Sequence, residues 1–261
     1  MTIKRLLPLL LAGSAGLAQA ATVNEEVAYE IDGKPFKGAL VYDDSVKTPR
    51  PGLLMVPNWM GVSEAALKKA SEIAGDRYVV FVADLYGRDI RPKNAEEAKV
   101  AATTVRSDRP MMRARATEAV KVFQHEANEQ GVAVQGMAAI GFCFGGGAIL
   151  ELARSGEPLK AFVSFHGNLD TPTPDDAKQI EAPILVLHGA DDPSVPPAQV
   201  DAFVKEMQAA NTDWQLVSYG GAVHSFTDPD ANVPGRNQYH PVVAARAFRE
   251  MNNLMDDVFD K

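Results

Sequence analysis

Only one cysteine, Cys143, occurs in 261 residues. No intramolecular disulfide can therefore staple the chain, and stability has to come from a packed core, which a chain of this length can bury. Positive charge is also scarce. Twenty-six lysines and arginines stand against 34 acidic residues, a balance that repels nucleic-acid phosphates and anionic membrane surfaces. No apolar run reaches the roughly 20 residues of a membrane-spanning helix. No internal repeat, low-complexity tract or Pro-, Gly- or Ser-rich linker divides the sequence. One soluble, monomeric domain is the simplest reading.

The opening "MTIKRLLPLLLAGSAGLAQA" places Lys4 and Arg5 before a short apolar run and ends in Ala18-Gln19-Ala20, the pattern of a secretory signal peptide with its cleavage site. Residues 1–20 are expected to be removed, leaving 21–261 as a single exported domain, most simply periplasmic. Cleavage takes away two basic residues, leaving 24 against 34 acidic ones, a net charge of −10. In an oxidising compartment a lone thiol is open to oxidation or intermolecular pairing, which raises the question of its use. The plain alternative is a small buried apolar residue.

After the leader, "EEVAYEID" and "KGALVYD" flank the turn "DGKP" and read as a β-hairpin. Then "PGLLMVP", "YVVFVAD", "MAAIGF", "AFVSFH", "PILVLHG" and "WQLVSYG" recur as short apolar runs, each followed by helical spacing. Continuous apolar strands alternating with helices predict an α/β fold, with a mostly parallel central sheet and helices on both faces. Ser63 fits an N-cap. Asn94 with Glu97 resembles a capping box. Ala244, Phe248, Met251, Met255 and Val258 mark one apolar face of a C-terminal helix.

The cysteine sits in "MAAIGFCFGGGAILELARSG", where a strand passes through a sharp turn directly into a helix. That is the frame of a nucleophile elbow, whose central residue is held in strained backbone geometry while glycines two positions to either side let strand and helix approach. Gly141 and Gly145 occupy those positions. A dinucleotide-phosphate turn is the competing reading, but the G-x-G-x-x-G order is absent and the segment lies late in the chain. A buried structural cysteine stays open on position alone.

An elbow nucleophile is followed in the chain by an acid and then a histidine. "PILVLHGADDPSVP" puts Asp191 and Asp192 just past an apolar strand; Asp192, before Pro193, is the better acid and Asp191 the fallback. Of the five histidines, His125 lies in a charged helix and His240 precedes Pro241 near the last helix. His166 and His188 end strands and could line the site, but both precede the acid. His224 in "YGGAVHSFTDPD" remains as the base. An imidazole can take a thiol proton and later return it to a leaving group, and a carboxylate on the other ring nitrogen fixes the tautomer. The amides of Phe144 and Trp59 are the expected oxyanion donors. Trp59, Tyr86, Phe142, Phe144 and Phe226 are candidate walls. No close-spaced ligand pair argues for a metal.

"GFCFGG", "HGADDPSVP" and "GAVHSF", together with "VPNWMGVSE" and "VADLYGRD", resemble the dienelactone hydrolase family of α/β hydrolases, in matching order over most of the chain. The resemblance implies an α/β-hydrolase fold and hydrolysis of an activated ester or lactone through a thiol-acyl enzyme, with no metal or organic cofactor. Two positions depart from it. Asn58 stands where family members commonly carry a glutamate that controls the resting cysteine. Of two arginines that hold a substrate carboxylate, Arg88 fits the first, whereas Asp228 falls at the second and would repel a carboxylate. Asn58, Arg88, Tyr86 and Phe226 are the expected substrate contacts. A hydrolase-like protein that binds a ligand without efficient catalysis is the alternative function.

Overall fold

The computed structural model describes residues 22–260, so the expected leader at 1–20 lies outside the described residues. Strands β1 (Thr22–Ile31) and β2 (Lys34–Asp43) form the N-terminal hairpin. Its two-residue turn, Asp32 (φ 51°) and Gly33 (φ 71°), takes the left-handed conformations that match the twist of paired strands. The hairpin is no free-standing unit. β2 pairs antiparallel with β4 (Val79–Val82), joining both strands to the main sheet.

That sheet has eight strands in the order β1-β2-β4-β3-β5-β6-β7-β8, with β3 (Arg50–Val56), β5 (Val134–Phe142), β6 (Phe162–Phe165), β7 (Ile184–Gly189) and β8 (Trp214–Tyr219). From β4 to β8 every pairing is parallel. Successive side chains of a strand point to opposite faces, and β3 shows the result. Leu53 and Met55 enter one apolar cluster with α1 (Glu64–Ala74) and α6 (Pro241–Phe259). Leu54 and Val56 enter another with α3 (Arg109–Glu129) and α4 (Phe144–Arg154). Burial on both faces is why these strands are continuous apolar runs.

The helix ends follow their side chains. Ser63 accepts from the Ala66 amide to cap α1. Asn94 accepts from the Glu97 amide to start α2 (Ala95–Ser107), and the Glu97 carboxylate accepts in turn from the Lys93 amide. His240 caps α6 through Nδ1. One expected alternation differs: β6 leads into a loop and a short 3-10 helix, Pro174–Gln179, rather than an α-helix. Proline and two aspartates at its start suit a turn better than a helix interior.

Helix α4 is clamped from behind by charge. Arg154, 1% exposed, donates to both carboxylate oxygens of Glu206 on α5 (Pro197–Ala210), at 2.7 and 2.9 Å, to Glu151 at 3.0 Å and to the Leu169 carbonyl at 3.0 Å. Arg113 on α3 reaches Glu151 at 2.9 Å. Buried charges persist only when paired and hydrogen-bonded in this way. The clamp fixes the helix that begins directly after Cys143.

Candidate active site

Cys143 lies between the last residue of β5 and the first of α4, with φ 55° and ψ −117°. A non-glycine residue at positive φ is held there by its surroundings. The flanking glycines are required by space: a Cβ on Gly141 would stand 2.1 Å from the Gly145 carbonyl oxygen, and one on Gly145 would stand 2.0 Å from that of Val56. Strand and helix therefore meet backbone to backbone. Cys143 is half-buried as a residue, and its sulfur is held at the start of α4, where unpaired amides favour negative charge.

Asp192 follows β7 in a tight turn whose backbone returns through Asp192 N–H to Gly189 O at 3.1 Å. One carboxylate oxygen accepts from the Ser194 amide at 2.8 Å and the other faces His224 Nδ1 at 2.7 Å. Asp191 beside it is exposed. His224 is 6% exposed, in the loop after β8, and is braced by Gln238 N–H donating to its carbonyl at 3.0 Å. Nδ1 bonded to a carboxylate carries the proton, which leaves Nε2 for the sulfur.

The electrostatics couple the sulfur and the ring. Burial pushes the Cys143 thiol up, but the charge and hydrogen bonding of His224, with the amides of Phe144 and Trp59, outweigh it and hold the thiol below its usual value. Burial disfavours the His224 imidazolium, yet the Cys143 charge and the bond to Asp192 raise it to about 10. Each group favours the charged form of the other. The arrangement can hold a thiolate–imidazolium pair, the species that attacks an acyl carbon.

The remaining expected contacts separate. Asn58 accepts from the Met60 amide at 3.0 Å, and its side-chain amide points to Asp228 at 3.5 Å. Lys69 donates to the Thr227 carbonyl at 2.9 Å, its ammonium over the Phe142 ring and close enough to Asp228 to feel its charge. Asp228 therefore meets an amide and a neighbouring ammonium, which soften the repulsion expected of it. Arg88 is half exposed and donates to Asp89 at 3.2 Å, with no hydrogen bond to Cys143 or His224.

Two expected substrate contacts are corrected. Phe226 is wholly buried, packed edge-on against His166 and Tyr219 (ring centroids 5.1 and 5.8 Å), so it is core rather than cleft wall. The Tyr86 hydroxyl donates to the Trp59 carbonyl at 2.9 Å, so its one proton is already engaged. Phe142 is core as well, stacked on Phe165 at 4.7 Å. Phe144 is buried and Trp59 half-buried.

His125 is exposed. His188 is buried, and burial lowers its pKa. Sequence reasoning missed how His166 is used. Its backbone is at φ 40°, its Nε2 is 2.8 Å from Thr227 Oγ1, and its ring stands edge-on to His224 at 5.3 Å. Burial, followed by the charges of His224 and Lys69, holds it well below the usual histidine value, so it is a neutral neighbour. Its place at the end of an apolar strand was the available signal; nothing in the sequence marks Thr227 or Lys69. Among the described residues no group of three or more His, Cys, Asp or Glu side chains could hold a metal, and no helix is long and apolar enough to cross a membrane.

The model of the dienelactone hydrolase family matches residues 36–259. A "Probable 2-oxo-3-(5-oxofuran-2-ylidene)propanoate lactonase" of Bradyrhizobium sp is 27% identical over 76% of this chain and 80% of its own length. A Caenorhabditis elegans protein without assigned function is 42% identical over 37% of this chain, a match that spans 63% of that protein. The solved structure of a dienelactone hydrolase-like promiscuous phosphotriesterase from metagenomic libraries superposes with a TM-score of 0.82 at 35% identity, covering 92% of this chain and 99% of that one.

Proposed function

This chain belongs to the dienelactone hydrolase family, and from that membership together with the site geometry we propose that it hydrolyses carboxylic esters or lactones through Cys143, His224 and Asp192, and from the leader pattern of residues 1–20 that it is exported. The observation that carries the reading is the elbow cysteine whose thiolate is stabilised by a histidine that is itself bonded to a buried aspartate.

The Cys143 thiolate attacks the acyl carbon, and the carbonyl electron pair moves onto oxygen, where the amides of Trp59 and Phe144 receive it. As the oxyanion collapses, the bond to the leaving oxygen breaks and that oxygen takes the Nε2 proton of His224. A water then gives a proton to His224 and adds to the thioester. The second collapse releases the acid and returns the sulfur as thiolate. Asp192 holds the ring and stabilises its charged form throughout.

Asn58 and Asp228 present an amide and a carboxylate, while Arg88 is turned to Asp89. With Lys69 beside Asp228 and Arg88 paired with Asp89, both nearby cations are already engaged, which favours neutral substrates over carboxylate-bearing ones. A neutral organophosphate triester meets the same requirement, in line with the activity named for the phosphotriesterase relative.

The test is a panel of small neutral and carboxylate-bearing esters and lactones assayed with the parent protein and Cys143→Ala. Neutral substrates should lead and the alanine variant should be inactive. Unchanged turnover in that variant would sink the cysteine mechanism, whereas a parent protein with no turnover and a slowly alkylated, unperturbed Cys143 thiol would favour a ligand-binding protein. Export is read separately: a secreted product that starts at Ala21 supports it, and one retaining residues 1–20 does not.

A further inference from the structure

Tyr86 lies beyond β4 in the loop that follows it, 4% exposed, and touches both residues whose amides act on the Cys143 sulfur. Its hydroxyl donates to the Trp59 carbonyl at 2.9 Å, and its ring packs on Phe144 with centroids 5.3 Å apart. The Trp59 segment is a turn closed by Gly61 N–H donating to Asn58 O at 2.9 Å. Gly61, at φ 68°, takes a conformation that side chains rarely adopt, and a Cβ there would press on the Tyr86 ring at 3.0 Å.

Tyr86 is itself fixed. Its amide donates to Asp84 Oδ1 at 2.9 Å, and that buried carboxylate also accepts from the Gly87 amide at 3.0 Å, the Lys37 amide at 3.1 Å and Arg91 at 3.0 Å. Arg115 donates to the neighbouring Leu85 carbonyl at 2.6 Å. Burial, then the charges of Cys143 and Asp84, raise the phenol well above its usual value, so it stays protonated and able to donate.

We infer that Tyr86 is the positioning residue of the oxyanion hole, one side chain setting the amides of Trp59 and Phe144 at the spacing a developing oxyanion needs. The inference rests on the ester-hydrolase reading above. Tyr86 does not touch the reacting atoms. It acts by removing freedom from two donors on separate segments, one after β3 and one at the start of α4. Loss of one oxyanion donor costs about 10²–10³ in rate. Loosening two without removing either should cost less, about 10-fold in kcat with KM little changed.

The experiment compares an oxygen ester with its thionoester, whose sulfur accepts hydrogen bonds weakly and so reports what the hole contributes. In Tyr86→Phe the oxygen-to-sulfur ratio of kcat/KM should shrink about 5-fold or more. Gly61→Ala, which presses a methyl group on the same ring, should shrink it by an independent route and serves if the first variant does not fold. A merely structural role would lower both substrates in proportion, and that result, or an unchanged ratio, overturns the inference. If the parent protein shows no Cys143-dependent ester turnover, the hydrolase reading fails instead.

Discussion

Replacing Asp192 by asparagine exchanges one oxygen for an amino group and should remove most of the rate. In the parent protein one carboxylate oxygen accepts from the Ser194 amide at 2.8 Å and the other faces His224 Nδ1 at 2.7 Å. An asparagine has only one acceptor oxygen. If it stays on Ser194, the NH2 group faces His224 and Nδ1 must become the acceptor. The ring proton then moves to Nε2, the nitrogen that has to accept from the thiol. If the side chain turns over, two N–H groups confront each other at Ser194 in a buried site, which costs about 1–3 kcal/mol. The first arrangement should win. A wrong tautomer at an aspartate–histidine pair lowers kcat by about 10⁴ in the serine-protease example, or roughly 5 kcal/mol of barrier. Cysteine nucleophiles ionise more readily than serine, so about 10²–10³ is expected here. The assay is ester kcat at pH 7 beside the iodoacetamide alkylation rate of Cys143, and both should fall. An Asp192→Asn variant that alkylates within about 3-fold of the parent at pH 7 would show that the thiolate does not depend on this pair.

Activity should also follow the coupled pair in pH. The thiol lies below its usual value and His224 at about 10, so the thiolate–imidazolium form exists between them. Rate should rise on an acid limb below the free-thiol range and fall near pH 10; a single rise centred on the free-thiol value contradicts this. Gly145→Ala forces a methyl group onto the Val56 carbonyl and should destabilise by about 3 kcal/mol or more, a drop in Tm of roughly 6–12 °C. Glu206→Ala strips Arg154 of two bonds in a buried clamp and should cost about 3–5 kcal/mol by chemical denaturation, while the folded fraction keeps its kcat. Asp228→Asn should raise the rate on carboxylate-bearing esters relative to neutral ones, and an unchanged ratio would mean that this carboxylate does not face the substrate.

The sheet was legible because a strand covered on both faces has to be apolar at every position, as in "LLMV" and "VVFV". The elbow was legible for a related reason: at Gly141 and Gly145 a Cβ would stand about 2 Å from neighbouring backbone oxygens, so only glycine fits. Asp192 is preferred to Asp191 for its place before Pro193; in the fold the Ser194 amide orients the Asp192 carboxylate while Asp191 stays in solvent. Aromatic residues were the least legible. Phe226 and Tyr86 sit beside apparent site motifs, yet one packs on His166 and the other spends its hydroxyl on Trp59. Arg154 and Glu151 resemble a solvated helix face in "ELAR", although the same helix is apolar enough to be buried all round.

Intact-protein mass measurement of the species trapped within the first turnover of an activated ester tests the central claim most directly. The account predicts a burst of about one equivalent of leaving group and an acyl adduct that maps to Cys143 and is absent from Cys143→Ala. Turnover that proceeds with no adduct, or with an adduct on another residue, would contradict it.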